Sequence, residues 1–127
     1  MSFGERVERV AHEIVDAAYT VHRALGPGLL ESVYEICLEH ELKKRGLSVE
    51  RQVDVPIVYD GVRFDSGFKL DLLVEGCVIV ELKSVEKILA VHEAQILSHM
   101  KLMNVRLGFL INFNVALIKD GIKRKAL

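Results

Sequence analysis

The chain has 127 residues, half of them hydrophobic, and a net charge of −1. That excludes a disordered polymer and supports one folded domain over 1–127, burying roughly two-thirds of its unfolded surface. It also excludes a strongly basic protein that coats nucleic acid non-specifically, but not an enzyme that touches nucleic acid locally through a metal. No apolar run reaches the ~20 residues of a membrane span, and the N-terminus lacks a signal peptide's apolar run and cleavage site. A cytoplasmic protein with no membrane partner and with free thiols at Cys37 and Cys77 is therefore expected.

In chain order, Ser2 and Glu5 can form a capping box. Behind it Phe3, Val7, Val10, Ile14, Ala17, Ala18, Val21 and Leu25 recur at helical spacing, predicting a helix over about 4–25 that stops at Gly26-Pro27-Gly28. That loop is not a phosphate loop, because it lacks the Gly-Lys-Ser/Thr ending and a preceding strand. A second helix is expected over about 29–44, with Leu30, Val33, Tyr34, Cys37, Leu38 and Leu42 inward and Gly46 ending it. Residues 48–59 read as a strand in which Pro56 marks an edge or a bulge. Asp60-Gly61 is a two-residue hairpin signal, and Gly67 in the next strand marks a bulge or bend. From about 85 to 103, Val85, Leu89, Ile96, Met100 and Met103 form a helical stripe interrupted by Glu93. A buried strand over 106–113 follows, then a short strand at VALI or its continuation, and an exposed basic tail from about 119.

The segment from Leu70 to Lys83 organises the chain. Phe68, Leu70, Leu72 and Val74 alternate with polar or outer positions, as do Val78, Val80 and Leu82 beyond Glu75-Gly76. One apolar face on both strands demands cross-strand partners of even sum, hence an odd loop, and three residues with a left-handed Gly is a common length. Asp71, Glu81 and Lys83 then emerge on one face. Two carboxylates suit a hard cation such as Mg²⁺ or Mn²⁺, which acidifies a bound water and neutralises charge developing on a phosphate. The Leu82 carbonyl lies between the two side chains and can complete the shell. Lys83 can orient the attacking water or stabilise the transition state. The helices and mixed sheet together predict an α/β sandwich: a three-strand meander, a crossover helix and a returning strand.

Three pieces of sequence carry a family resemblance: Gly28-Leu-Leu-Glu31-Ser-Val-Tyr34, then Asp71 with Glu81-Leu82-Lys83, then His92-Glu-Ala-Gln95. In this order the chain resembles the PD-(D/E)XK nuclease superfamily, and within it the small GxxExxY proteins, over about residues 10–120. The resemblance implies a restriction-endonuclease-like α/β core and metal-dependent hydrolysis of nucleic-acid phosphodiesters, DNA first among them. It implies Asp71, Glu81 and Lys83 as the core catalytic set, Glu31 as a helix-borne acid near the metal, and Gln95 as a glutamine facing the site. Two positions depart from the pattern. Leu70 stands where Pro commonly precedes the Asp, and His99 stands where related nucleases carry Tyr.

Each of these residues also has a plainer reading. Glu31 in a first helical turn complements the helix dipole. Tyr34 can contact substrate or pack its ring with the hydroxyl in water. His92, Gln95 and His99 share a helix side and can line a groove for substrate, or lie on a solvated flank. A non-catalytic nuclease-like domain that binds nucleic acid or a protein is the main alternative; a phosphoesterase of small phosphates is a third. Cutting both strands of a duplex needs two sites, so a symmetric homodimer is expected, with the first helix as its candidate interface.

Overall fold

The computed structural model describes residues 3–127, so the expected partnership of Ser2 with Glu5 lies outside the described residues. Helix α1 (Glu5–Leu25) starts after Gly4 and buries Val10, Ala11, Ile14, Ala17, Ala18 and Val21. Gly26 at φ 68° and Gly28 at φ 98° turn the chain out of the helix, backbone that suits glycine. The apolar stripe of α1 packs into the protein's own core.

Helix α2 (Glu31–Lys44) begins two residues later than expected, and its inner face is turned. Tyr34, Glu35, Leu38 and Leu42 are buried, whereas Leu30 is 73% and Val33 36% exposed. The rotation follows from Tyr34, whose ring stacks on Phe113 at 4.5 Å and whose hydroxyl donates to the Gly26 carbonyl at 2.6 Å. Arg45 fastens the end of α2 to α1 through Asp16 and Glu13 and bonds back to Glu41 within α2; Asp16 above all, with Glu13 and Glu41, holds its guanidinium pKa above the usual range.

Five strands follow in the order β1 (Val49–Tyr59), β2 (Val62–Val74), β3 (Val78–Lys83), β4 (Leu107–Asn112) and β5 (Ile122–Ala126), which is also their order across the sheet. Neighbours are antiparallel except β3 and β4, which run parallel and are joined through α3 (Ala90–Met103). Asp60 and Gly61, both at positive φ, form the β1–β2 turn between paired Tyr59 and Val62. Pro56 sits on an edge strand and at an irregularity, where the register passes from Val55↔Phe68 to Ile57↔Phe64 and Gly67 falls in the bulge. The β2–β3 turn has the expected odd length: Val74 pairs with Val78 across Glu75, Gly76 and Cys77, with Glu75 and Gly76 at positive φ.

Leu72, Val74, Val78, Val80 and Leu82 pack under α1 and α2 with Phe109 and Ile111 of β4. Leu70 and half-buried Phe68, expected on that same face, instead join Val55, Ile79, Ile96 and Met100 beneath α3. The apolar face of β2 thus changes sides at Asp71.

Two further segments depart from expectation. The helix expected from about 85 starts at Ala90, because buried Asn112 captures the backbone of Val85, accepting its N–H at 3.1 Å and donating to its carbonyl at 2.9 Å. With the hydrogen bonds of Val85 met there, the chain need not coil at that point. The VALI segment is a loop leading to a short 3₁₀ turn (Ile118–Asp120), and the basic tail is β5, paired along β4 from Ile111↔Ile122 to Leu107↔Ala126. An edge strand facing water can be this charged, since only one of its margins is covered. Among the described residues no helix is long and apolar enough to cross a membrane, and Cys37 and Cys77 are free and half-buried.

Candidate active site

One cleft of about 520 Å³ opens between β2, β3, the start of α2 and one side of α3. Its wall contains Glu31, Asp71, Glu81, Lys83, Gln95 and His99, so six of the residues singled out by sequence meet in one place. The meander supplies the strand residues. The described β2–β3 pairing runs to Leu72↔Val80, and one step further along that register Asp71 stands opposite Glu81. There the Leu82 N–H donates to Asp71 Oδ2 at 2.8 Å, a side chain taking over where the ladder of backbone pairs ends. Lys83, the last residue of β3, is half-buried.

Helix α3 contributes a wall at three- and four-residue spacing: Val91, Ala94, Gln95, Ser98 and His99. The His99 ring stacks on Phe68 at 3.8 Å, and its Nδ1 makes a close hydrogen bond to the Glu81 carboxylate. His92 stands apart from this wall. Its Nδ1 accepts the Leu89 N–H at 3.0 Å, which satisfies a donor at the open start of α3. Tyr34 is also apart: it is fully buried, and its hydroxyl is held between the Gly26 carbonyl and the Leu29 N–H. Tyr34 and His92 thus make internal hydrogen bonds and are not among the residues that line the cleft.

Two residues that sequence reasoning passed over surround Asp71. Glu35 of α2 is buried and accepts from Gln52 Nε2 at 2.8 Å, while Arg51 lies at 3.5 Å. Gln52 Nε2 also lies 3.4 Å from Asp71 Oδ1. The available signal was local: Glu35 falls one turn after Glu31 on the face that carries Tyr34 and Leu38, where a charge is out of keeping with an apolar stripe.

The electrostatics are those of crowded acids. Burial pushes the Asp71 carboxyl above its ordinary value, the Leu82 N–H pulls it back, and the negative charge of Glu81 raises it again; Glu35 and Lys83 offset part of this. Burial likewise raises Glu35, with the Gln52 amide opposing and Asp71 reinforcing. Among the described residues no group of three or more His, Cys, Asp or Glu forms a ready-made cage for a metal. The donors nonetheless fit a small hard cation. The Glu81 charge is close enough to Asp71 to disfavour its ionisation, and Mg²⁺ is held by one or two carboxylates and water in preference to all-protein cages.

A family model described as the PD-(D/E)XK nuclease superfamily matches residues 8–125, nearly the whole chain, and the protein belongs to that superfamily. Nucleases of this superfamily generally use divalent metals. The mixed sheet with flanking helices is consistent with its restriction-endonuclease-like fold. No curated protein and no solved structure matches the chain.

Proposed function

We propose that this superfamily member hydrolyses phosphodiester bonds of nucleic acid, DNA in the first place, and that it belongs to the GxxExxY branch by virtue of Gly28, Glu31 and Tyr34. The observation that carries the reading is the meeting of Asp71, Glu81 and Lys83 with Glu31 and Gln95 in one cleft. Asp71 and Glu81 would hold Mg²⁺ or Mn²⁺, with the Leu82 carbonyl and Glu31 as further oxygen donors. When bound, such an ion acidifies a water and offsets charge on the scissile phosphate.

The protein's own groups do the rest. Lys83 extends a cation beside the two acids, where it steadies negative charge building on the phosphate oxygens and orients the attacking water. Gln95 offers amide donors to a phosphate oxygen from across the cleft. His99 ties Glu81 to α3 and, with Phe68, forms an apolar-backed wall against which a sugar or base can rest. In this reading the chain acts as one cytoplasmic nuclease domain, and cutting both strands of a duplex calls for a symmetric pair of copies.

A cleavage assay on linear duplex, single-stranded and supercoiled DNA and on RNA, with Mn²⁺, Mg²⁺ or EDTA, tests this directly. Metal-dependent cutting that drops at least a hundredfold in a folded Lys83→Ala variant is expected, in keeping with the loss of a charge-stabilising group at a reacting phosphate. If folded wild type cuts no polymer, or Lys83→Ala cuts as well, the catalytic assignment falls and a non-catalytic binding domain takes its place.

A further inference from the structure

We infer that Gln52 is a positioning residue of the cleft, its amide bridging Glu35 and Asp71 so as to hold the Asp71 carboxylate in its working orientation. This rests on the nuclease reading above and adds to it a residue from the edge strand. The first observation is backbone conformation. Gln52 has φ 56°, in the left-handed region that residues other than Gly, Asn and Asp rarely adopt, and it interrupts β1 between the pairs Arg51↔Leu72 and Val53↔Leu70. The residue is exposed, so no packing of its side chain requires that conformation.

The second observation is where the side chain goes. Its Nε2 reaches Glu35 Oε1 at 2.8 Å and Asp71 Oδ1 at 3.4 Å, one N–H for each carboxylate. Asp71 is then tethered at both oxygens, by Gln52 at Oδ1 and by the Leu82 N–H at Oδ2. Glu35 is anchored in turn beside Arg51 at 3.5 Å. A neutral amide suits this place for a chemical reason. Its two N–H groups can serve both carboxyl groups at once, whereas a Lys or Arg here would bring a positive charge that competes with a bound cation. Backbone strain retained beside a functional group, against the preference of the chain, is the pattern of a residue kept for its side chain.

Gln52→Gly removes the amide while relieving the left-handed backbone; Gln52→Asn tolerates the same backbone with a side chain too short to span both acids. Three measurements on each variant and on wild type decide the matter: thermal melting, Mn²⁺ affinity by calorimetry, and kcat and KM on linear duplex DNA in Mn²⁺. Expected are variants that melt at or above wild type, bind Mn²⁺ about 10- to 100-fold more weakly, and lose kcat with KM little changed. Wild-type Mn²⁺ affinity and kcat in Gln52→Gly overturn the inference, as does a loss of activity that merely tracks a lower melting temperature. A folded wild type that neither binds Mn²⁺ nor cuts overturns the nuclease reading and this inference with it. Wild type that does both, beside unaffected variants, overturns the inference alone.

Discussion

Tyr34 and Asp71 illustrate how one residue type can mislead and another inform. The tyrosine sits in a motif that the sequence ties to function, yet its ring is stacked on Phe113 and its hydroxyl closes the Gly26–Leu29 turn. Tyr34→Phe should keep the stack and strand the Leu29 N–H, costing about 1–2 kcal/mol in urea unfolding with KM for DNA unchanged; an altered KM at unaltered stability would return Tyr34 to the substrate. Asp71 has its folded pKa raised above 3.8, chiefly by burial. The native state therefore holds this proton more tightly than the unfolded chain does. Its contribution to stability is present at acid pH and is lost as pH rises through the raised value. In EDTA, wild type should accordingly gain stability relative to Asp71→Asn as the pH falls from 7 toward 4, because the Asn variant has no proton to take up there. A difference between the two that stays the same across this pH range would contradict that balance. The acid pair of β2 and β3 was legible because alternation and a turn fix which side chains share a face. Glu35 and Gln52 were not, because their relation to Asp71 joins α2, β1 and β2 and no local pattern encodes it.

Among the elements, those set by local rules were read from sequence: α1 from its stripe, the β1–β2 turn from Asp60-Gly61, and the β2–β3 turn from parity. The elements set by partners were not. Strand β5 is highly charged and reads as a tail, and its strand character comes from the open margin of β4. The residues 85–89 carry helical spacing, but Val85 gives its backbone to Asn112. Gly121 lies at this junction. Its carbonyl accepts the Asn112 N–H at 2.8 Å, and a Cβ at Gly121 would fall 2.0 Å from the Asn112 carbonyl oxygen. Gly121→Ala should therefore part β5 from β4 and loosen the loop before α3, with a loss of about 1–3 kcal/mol or more in chemical denaturation. Hydrogen exchange should show the loss concentrated in β4, β5 and residues 84–89. A variant of wild-type stability would mean that the junction can shift without cost.

For the whole molecule, α1 and α2 on one face and α3 on the other cover a sheet whose inner strands β2 and β3 carry the acids, and the cleft opens where α3 and the start of α2 meet these strands. A cation bound to the folded state alone stabilises it by mass action, by about 2.7 kcal/mol at a hundredfold excess over Kd. Mn²⁺ should therefore raise the melting temperature of wild type and leave that of a folded Glu81→Gln variant where it was. The most direct test of the central claim is calorimetric titration of Mn²⁺ into metal-free wild type, Asp71→Asn and Glu81→Gln, each checked for folding by circular dichroism. A saturable site in wild type that is lost in both variants is the predicted result. Folded wild type that takes up no Mn²⁺, or variants that bind it equally well, would contradict a metal-dependent site at these two acids.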